Sequence, residues 1–367
     1  MVLDDAKWME IALRLADRNT GNVCPNPSVG CVIVNGDRIV GRGWTQAGGR
    51  PHAEAMALEQ AGNKSIGATV YTTLEPCSHY GKTPPCSDAL ILARIKRLVG
   101  AMKDPDPRVD GKGFSKLRDA GIEVVEGILE NEATELNRGF ITRVTKKLPF
   151  VTLKMAMSID SRVATKTGDS KWITGEKARY SAHFLRSKHD AILTGIGTVL
   201  ADNPILNARI SGLENRSPTR IIMDTKLRLP VDSQIVSTAT KYKTIICTTG
   251  AAEKSKKKHI ESFGLQVLTL TSNKSGRVSP IETLKVLAAK GINNVLVEGG
   301  GILSTEFLRS DLIDELLVYR APIILGGDGR AAVEGLGVSD LSAAVAFERT
   351  EIASIGTDLM ETYKRGK

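Results

Sequence analysis

Apolar residues in the first 150 positions recur alternately at helical and at strand spacing. Trp8, Ile11 and Leu15 follow the helical period and predict an amphipathic helix over 4–18. Buried strands are predicted over 29–34 and 38–43, and the Gly36-Asp37 pair between them is typical of a hairpin turn. Further helices are predicted over 52–61, 87–93, 113–120 and 130–140, and further strands over 68–73 and 98–102. This alternation predicts a sheet covered by helices on its faces.

The same kind of pattern starts again near position 150. A charged stretch that ends in a proline, 145–149, is followed at once by an apolar strand over 150–155. Strand patterns recur over 191–194, 220–224, 244–248, 267–270 and 294–297. An apolar run over 315–325 contains Pro322, which favours a strand that ends in the glycine-rich loop over 326–329. We therefore predict an α/β protein with two α/β domains, residues 1–146 and 147–367.

Length and composition agree with two separate cores. The chain has 367 residues, of which 41% are hydrophobic and 25% are charged. The acidic start lacks the residue order of a secretory signal, and no apolar run has the length of a membrane span. The five cysteines are odd in number and sparse, which favours a reducing compartment. We therefore expect a cytoplasmic protein that does not bind a membrane.

The net charge of +9 is compatible with nucleic acid, with an anionic surface or with phosphorylated small molecules. The densest basic run, 254–258, contains no aromatic residue on which a base could stack. We interpret this run as a solvated face, and we expect a phosphorylated small-molecule ligand rather than nucleic acid.

Four residues of the first half form a pattern typical of a catalytic zinc site. His52 opens a predicted helix, Cys77 follows a strand, and Cys86 lies nine positions beyond Cys77. One imidazole and two thiolates suit zinc and leave its fourth position for water, whose pKa zinc lowers to near neutrality. Glu54, two residues after His52, is the candidate for the proton transfers. The alternatives are that these side chains only pack in a core, or that His79 completes a structural zinc site.

Three consecutive glycines, 299–301, lie between a predicted strand and a helix that begins near Ile302. Such a junction lets backbone amides approach a pyrophosphate at the positive end of a helix. A plain loop is the alternative, because the spaced glycines of the dinucleotide-binding fingerprint are absent here.

The zinc pattern resembles the signature of the cytidine deaminase superfamily, in which a His-x-Glu helix precedes a Pro-Cys segment and a second cysteine. Eight residues separate Cys77 from Cys86, and this longer insert, together with the segment 25–34, resembles the deaminases of the riboflavin pathway. The resemblance implies a cytidine-deaminase-like three-layer domain and a substrate contact by Asn26. A turn-forming asparagine between two prolines is the alternative interpretation of Asn26.

The second half resembles the reductase domain of the same bifunctional family, which is similar in fold to dihydrofolate reductase. Matching motifs occur in family order over 154–160, 168–174, 185–186, 197–206 and 297–301. The resemblance implies an NADPH site lined by Ala156, Trp172, Thr198, Asp202, Thr225, Gly300, Gly301, Ile302, Leu303, Ser304, Thr305 and Glu306. It also implies a site for a phosphorylated substrate, lined by Ser170, Arg186, Leu206, Arg209 and Glu298.

The two arginines suit a phosphate because a guanidinium can donate two parallel hydrogen bonds to it. Surface ion pairs are the alternative for Arg186 and Arg209, and an ordinary core position is the alternative for Trp172. No side chain of this half is an obvious proton donor. We therefore expect the protein to act mainly by holding the hydride donor against the substrate.

Three residues depart from the family pattern: Thr45 replaces a histidine, Lys82 an arginine and Ser161 a glycine. Lys82 keeps the positive charge but loses the two-pronged hydrogen bonding of arginine. Ser161 would cost about 1–2 kcal/mol if its turn requires a positive φ.

The resemblance implies two consecutive reactions of riboflavin biosynthesis. The first domain would deaminate 2,5-diamino-6-ribosylamino-4(3H)-pyrimidinone 5′-phosphate with one zinc ion and with Glu54 as proton carrier. The second domain would use NADPH to reduce the ribosyl group of the product to a ribityl chain. The sequence is compatible with a homo-oligomer but does not fix the oligomeric state.

Three other functions are compatible with parts of the sequence. A nucleic-acid base deaminase with a basic accessory domain would bind RNA in a salt-sensitive way and would not bind NADPH. A non-enzymatic protein would use the zinc only for structure and the second domain only to bind nucleotides. A deaminase with an impaired reductase would follow from Ser161.

Overall fold

The computed structural model describes residues 5–81 and 84–366 and divides the chain into two compact units. The first unit ends at Leu148 and the second begins at Pro149. The last helix of the first unit ends at Lys146, and Lys147 terminates it with a left-handed φ of 58°. The sequence-based boundary, between residues 146 and 147, lies at the end of this helix and two residues before the division between the units.

In its described residues, the first unit contains a mixed five-stranded sheet and six α-helices. Its strands are β1 Gly30–Asn35, β2 Arg38–Trp44, β3 Thr69–Thr72, β4 Arg97–Gly100 and β5 Glu123–Glu126. Its helices are α1 Asp5–Asp17, α2 Ala53–Ala61, α3 Cys86–Leu92, α4 Lys112–Asp119, α5 Glu130–Leu136 and α6 Arg138–Lys146. The strand order is β2-β1-β3-β4-β5; β1 is antiparallel to both of its neighbours, and β3, β4 and β5 are parallel.

Helices cover both faces of this sheet. A Cβ atom on Gly30 would lie 1.9 Å from the carbonyl oxygen of Ala12 in α1, and one on Gly43 would lie 2.0 Å from that of Ala53 in α2. Gly43 pairs with Cys31, and neighbouring residues such as Gly30 and Cys31 point to opposite faces of a sheet. Helices α1 and α2 therefore pack on opposite faces, which confirms the predicted three layers.

The helix predicted over 130–140 is two helices, because the chain bends at Asn137. This residue has a φ of −103° between α5 and α6. Its side-chain oxygen accepts a hydrogen bond from the N–H of Ser28 at 2.8 Å, and its amide donates to the carbonyl of Ser28 at 3.0 Å. The bend thus fastens the end of the first unit to the segment before β1, a long-range contact that no local pattern reveals.

The second unit contains a nine-stranded sheet. The strands of the second unit, nine in this sheet and two in a separate pair, are β6 Phe150–Ser158, β7 Arg162–Ala164, β8 Ala191–Gly195, β9 Thr219–Met223, β10 Thr244–Thr248, β11 Gln266–Thr269, β12 Asn294–Glu298, β13 Glu315–Ala321, β14 Arg330–Ala331, β15 Phe347–Ile355 and β16 Asp358–Arg365. Its helices are α7 Glu176–Ser187, α8 Ile196–Asp202, α9 Gln234–Ser237, α10 Lys254–Glu261, α11 Pro280–Ala289 and α12 Gly301–Arg309. The sheet order is β11-β10-β9-β8-β12-β6-β13-β16-β15, and β7 pairs separately with β14.

The strands from β11 to β13 in this order are parallel to one another. Strand β16 is antiparallel to both of its neighbours, β13 and β15. Strand β13 ends at Ala321, directly before Pro322, because proline cannot donate to a ladder. The parallel strands place their carboxyl ends at one edge, where ligands bind in open α/β sheets. Helices α8 and α12 begin at this edge, after β8 and β12.

No helix in the part of the chain that the structure describes combines the length and the apolar character of a membrane span.

Candidate active sites

Three side chains of the first unit converge on one point. His52 directly precedes α2, Cys86 is the first residue of α3, and Cys77 lies between β3 and α3. The Nδ1 atom of His52 lies 3.3 Å from Sγ of Cys86 and 3.7 Å from Sγ of Cys77. All three donor atoms lie within 4.8 Å of one another, which suits a single ion with bonds of about 2.0–2.3 Å. Among residues 5–81 and 84–366 this cluster consists of these three side chains, without His79.

The Cys77 thiol is prepared for metal binding by its neighbours. Its pKa is lowered to about 4, first because Cys86 hydrogen-bonds to its thiolate and also because His52 does, although burial opposes both. The backbone N–H of Cys86 adds a bond to Sγ of Cys77 at 3.3 Å. Because metals bind the thiolate, this donor set fits zinc.

Glu54 lies in the first turn of α2 beside the three candidate ligands, and it is only 4% exposed. Burial raises the pKa of its carboxyl, although the nearby His52 opposes the shift. A carboxyl group with a raised pKa can take up and release a proton near neutral pH.

Asn26 reaches the same site from the segment before β1. Its amide donates to the carbonyl of Gly49 at 2.7 Å and lies 3.4 Å from Nε2 of His52. The structure thus brings Asn26 beside the candidate metal ligands, as the family resemblance implies, and its contact with substrate stays a prediction.

Glu75 supports the zinc-ligand loop and was not singled out by sequence analysis. The side chain is 2% exposed, and its carboxylate accepts four backbone N–H groups at 2.7–3.3 Å. The donors are the N–H groups of Asp104, Gly111, Gly113 and Phe114. Because Cys77 follows two residues later, Glu75 ties this ligand to the first turn of α4. The Glu75-Pro76-Cys77 motif contains the residue, but a spacing argument about metal ligands does not reveal its role.

Thr45, which departs from the family pattern, has a structural role. It is 2% exposed, its hydroxyl oxygen accepts from the N–H of Val29 at 2.9 Å, and its own N–H donates to the carbonyl of Val29 at 2.9 Å. These bonds fasten the end of β2 to the start of β1. Lys82, the second departure, lies outside the described residues.

A cleft of about 1810 Å³ lies at the carboxyl edge of the large sheet. The predicted cofactor residues that line it are Ala156, Trp172, Thr198, Asp202, Thr225, Gly300, Gly301, Ile302, Leu303 and Glu306. The predicted substrate residues that line it are Ser170, Arg186, Leu206, Arg209 and Glu298. Their roles stay predictions, but the fold does gather them around one space.

Ser304 and Thr305, which the resemblance also assigns to the cofactor, do not line the cleft. Both are buried on α12, at 1% and 3% exposure. The Ser304 hydroxyl donates to the carbonyl of Gly300 at 3.4 Å, and the Thr305 hydroxyl oxygen accepts from the N–H of Glu334 at 2.6 Å. These two side chains therefore lie on the buried face of α12 and not on the face that borders the cleft.

The amino terminus of α12 opens into the cleft. Gly300 directly precedes the helix, and a Cβ atom there would meet no atom within 4 Å. Gly301 packs so closely that its Cβ would lie 2.4 Å from the carbonyl oxygen of Ala331. A phosphate can therefore approach the free amides of this terminus, as the glycine run predicts.

Arg186 and Glu298 pair with each other inside the cleft. Nε and Nη2 of Arg186 lie 2.8 and 2.9 Å from the two carboxylate oxygens of Glu298. Burial alone would raise the pKa of Glu298, but Arg186 and Lys154 together lower it to about 2. Arg209 forms no ion pair with a carboxylate in the described part of the chain, so its guanidinium is the better candidate for the substrate phosphate.

Lys154 is a cleft residue that can serve as a proton donor, and sequence analysis found no proton donor in this half. It is the register partner of Glu298 on the neighbouring strand, and its Nζ lies 3.8 Å from the Glu298 carboxylate. Burial lowers the pKa of the Lys154 ammonium; Glu298 opposes the shift and Arg186 adds to it. An ammonium with a lowered pKa, facing the cleft, can donate a proton to a bound substrate.

His183 lies beside the same group. Burial lowers its pKa to about 4, with Arg186 and Arg209 adding to the shift, so the ring is neutral near pH 7. Its Nδ1 donates to the carbonyl oxygen of Asn207 at 3.1 Å.

Trp172 is not an ordinary core residue, so that alternative is wrong. Its side chain is 67% exposed at the wall of the cleft. The guanidinium of Arg179 lies 4.6 Å from the ring centroid, a cation–π contact that holds the ring in place.

A buried arginine supports the loop that contains Leu206 and Arg209. Arg220 is 0% exposed and donates to five oxygen atoms at 2.7–3.1 Å. The acceptors are the carbonyls of Ile205, Ile235 and Tyr242 and the hydroxyls of Thr238 and Thr244. The Tyr242 hydroxyl in turn accepts from the amide of Asn207 at 3.0 Å, and Asn207 accepts from Arg209 at 3.0 Å. The loop with Leu206 and Arg209 is thus fixed from inside the protein.

Comparisons with known proteins match a family to each of the two units. Residues 3–102 match the family described as cytidine and deoxycytidylate deaminase zinc-binding region, and residues 149–360 match the RibD C-terminal domain. Nothing in these matches supports the nucleic-acid base deaminase with a basic accessory domain.

Full-length relatives combine the two parts in one chain. Riboflavin biosynthesis protein RibD of Aquifex aeolicus is 42% identical over 361 residues, 98% of each chain. The structure of Acinetobacter baumannii RibD, form 1, has a TM-score of 0.89 at 37% identity and 99% coverage of both chains. A Thermotoga maritima diaminohydroxyphosphoribosylaminopyrimidine deaminase/5-amino-6-(5-phosphoribosylamino)uracil reductase has a TM-score of 0.86 at 37% identity, again with 99% of both chains covered. The chain therefore belongs to the RibD family of riboflavin biosynthesis proteins.

Proposed function

We propose that this chain catalyses two consecutive steps of riboflavin biosynthesis. The first unit deaminates 2,5-diamino-6-ribosylamino-4(3H)-pyrimidinone 5′-phosphate, and the second unit reduces the ribosyl group of the product to ribityl with NADPH. The observation that carries the proposal is the convergence of His52, Cys77 and Cys86 beside the buried Glu54. We also propose that the enzyme acts in the cytoplasm, where its cysteines stay reduced.

In the first unit, His52, Cys77 and Cys86 would hold zinc, which when bound supplies an activated water near neutral pH. Glu54 takes the proton of the attacking water and returns it to the departing 2-amino group, which leaves as ammonia. The raised pKa of Glu54 makes both transfers accessible to one carboxyl group. Asn26, held at a fixed distance from His52 by its bond to Gly49, would orient the pyrimidine.

In the second unit, the cleft holds the phosphorylated product against the cofactor, which supplies a hydride. Arg209 binds the phosphate, and the Arg186–Glu298 pair fixes the wall on which the ribosyl group lies. Hydride addition to C1′ breaks the bond between this carbon and the ring oxygen of the ribosyl group, and that oxygen must take up a proton. We assign this proton to Lys154, because burial lowers its pKa and its ammonium group faces the cleft.

The substitution Glu54→Gln tests the proposal on the intact enzyme. We expect ammonia release to fall by at least about a hundredfold, since general acid–base catalysis contributes that much or more. Zinc content, measured by elemental analysis, should stay unchanged. The oxidation of NADPH with the deaminated substrate, followed by its absorbance, should also stay unchanged.

Glu59→Gln is the matched control, because Glu59 is an exposed residue of the same helix. It should leave both activities intact. Full ammonia release by the Glu54→Gln enzyme would exclude Glu54 as proton carrier. Wild-type protein that is fully folded, has not been treated with a chelator and contains no bound zinc would exclude the proposed deaminase.

A further inference from the structure

Asn207 accepts hydrogen bonds from both arginines that are assigned to the substrate site. Its side-chain Oδ1 accepts from Nη1 of Arg209 at 3.0 Å, and its main-chain carbonyl oxygen accepts from Nη1 of Arg186 at 3.1 Å. Asn207 is 7% exposed and does not line the cleft, whereas both arginines do. Arg186 lies in α7 and Arg209 in the loop between α8 and β9. One residue behind the cleft wall therefore contacts two cations from different parts of the chain.

Arg209 needs such a contact, because its neighbour Arg186 repels it. Burial lowers the pKa of Arg209, and the positive charge of Arg186 adds to the shift, although Tyr242 opposes it. The Arg209 side chain is exposed, and a long exposed side chain can adopt many rotamers. Among the described residues its guanidinium has one hydrogen-bond acceptor, Oδ1 of Asn207. The orientation of Arg209 in the empty cleft therefore depends on this one bond.

Tyr242 determines which way the amide of Asn207 faces. The Tyr242 hydroxyl oxygen accepts from Nδ2 of Asn207 at 3.0 Å, which leaves Oδ1 on the side of Arg209. Tyr242 is held in turn by Arg220, whose Nη2 donates to the Tyr242 carbonyl at 3.1 Å and whose guanidinium lies 5.4 Å from the centroid of the ring. Contacts thus run from the buried Arg220 through Tyr242 and Asn207 to Arg209 at the cleft.

We infer that Asn207 is a positioning residue that holds Arg209 ready for the substrate phosphate, and that Tyr242 fixes Asn207 for this role. This inference rests on the proposed reductase function, in which Arg209 binds the phosphate. A guanidinium has five N–H donors, so the bond to Asn207 leaves enough of them for two parallel bonds to a phosphate. Substrate binding then does not have to immobilise the arginine side chain, and this preorganisation increases the affinity.

Steady-state reduction by the intact protein, followed by the absorbance of NADPH, tests the inference. The substrate is the deaminated product with its 5′-phosphate, and the comparison is the same compound without the phosphate. Asn207→Leu should raise the KM for the phosphorylated substrate by about three- to tenfold, which corresponds to about 0.7–1.4 kcal/mol, and should keep kcat within about twofold. The KM for the compound without phosphate should stay unchanged, because Arg209 has nothing to bind there.

Tyr242→Phe tests the same contacts from the other side and removes only one oxygen atom. It leaves Asn207 in place but takes away the acceptor of its amide, so the KM for the phosphorylated substrate should rise by about threefold. The double variant Asn207→Leu/Tyr242→Phe should have the same KM as Asn207→Leu, because Tyr242 acts through Asn207. Tyr242→Phe also decides the question if Asn207→Leu does not fold, which circular dichroism shows.

Asn215→Leu is the matched control, because Asn215 is an exposed asparagine before β9 that does not line the cleft. It should keep both KM values. An unchanged KM for the phosphorylated substrate in Asn207→Leu and Tyr242→Phe, or an equal rise for both substrates, would overturn the inference. Arg209→Gln separates it from the proposed function. A higher KM in Arg209→Gln leaves the phosphate role of Arg209 standing in either case, whereas an unchanged KM there would remove that role and this inference together.

Discussion

At the scale of single residues, Ser161 shows what a departure from a family pattern costs. Its φ is 62°, in the left-handed region that favours glycine. The turn keeps its shape because Asp160 accepts from the N–H groups of Leu325 and Gly326 at 3.2 and 2.8 Å, and Ala332 donates to the carbonyl of Ser161 at 3.0 Å. The surrounding structure therefore imposes a conformation that a serine side chain resists.

We expect Ser161→Gly to raise the free energy of unfolding by about 0.5–1 kcal/mol. Relief of the left-handed strain outweighs the extra freedom that glycine adds to the unfolded chain. Urea unfolding measures the change. Ser310→Gly, at an exposed position with φ −86°, is the control and should lower the stability instead. A loss of stability in Ser161→Gly would show that the serine contributes more than its backbone strain costs.

The sequence predicts the residues of the first site better than those of the second. His52, Cys77 and Cys86 are recognisable because metal ligands must be of certain chemical types, and the fold gathers them as expected. Lys154 is not recognisable, because it opposes Glu298 only through the register of two strands that are distant in sequence. Strand register depends on tertiary pairing, which a single sequence does not display.

At the scale of elements, the position of α2 depends on two glycines of β2, which have no side chains to keep the helix away. Hypothetical Cβ atoms on Gly41 and Gly43 would lie 2.2 and 2.0 Å from carbonyl oxygens of α2. The helix therefore packs directly on the backbone of the strand. Since His52 and Glu54 belong to the start of this helix, the depth of the candidate metal site is set by the same contact.

Gly43→Ala should displace α2 and weaken metal binding. We expect a loss of about 1–3 kcal/mol in unfolding free energy from overpacking, and a zinc content below one per chain after mild chelation. Gly250→Ala is the control, because a Cβ there meets no atom within 4 Å. Full zinc retention together with normal deamination would contradict the link between this contact and the site.

The elements that sequence analysis missed share a cause. The hairpin β15–β16 was missed because β15 is exposed along most of its length and lacks the apolar alternation of a half-buried strand. The division between α5 and α6 was missed because Asn137 bonds to Ser28, more than a hundred residues earlier. Both features depend on contacts beyond the reach of local periodicity.

At the scale of the whole molecule, each unit has a core of its own. The buried cluster of the first unit runs from Trp8 to Ala133, and two buried clusters of the second unit run from Ile192 to Val267 and from Ala178 to Tyr319. Every residue that lines the reductase cleft lies between Lys154 and Glu334, within the second unit. Among the described residues, the cleft is therefore lined by the second unit alone.

A chain consisting of residues 149–367 should fold and bind NADPH. Since it contains the complete cleft, its dissociation constant should lie within about a factor of three of that of the full protein, less than about 0.7 kcal/mol. Calorimetry gives the comparison, and circular dichroism shows whether the shorter chain is folded. A folded fragment without NADPH affinity would mean that the first unit contributes to cofactor binding.

The hydrogen bonds that Arg220 donates limit which amino acids can replace it. Arginine alone among the twenty amino acids offers five N–H donors in a planar fork, and at this position all five acceptors are neutral oxygens. Even lysine, with three donors, would leave two of the five acceptors without a hydrogen bond. Arg220 is therefore difficult to exchange, although it does not line the cleft and has no part in the proposed chemistry.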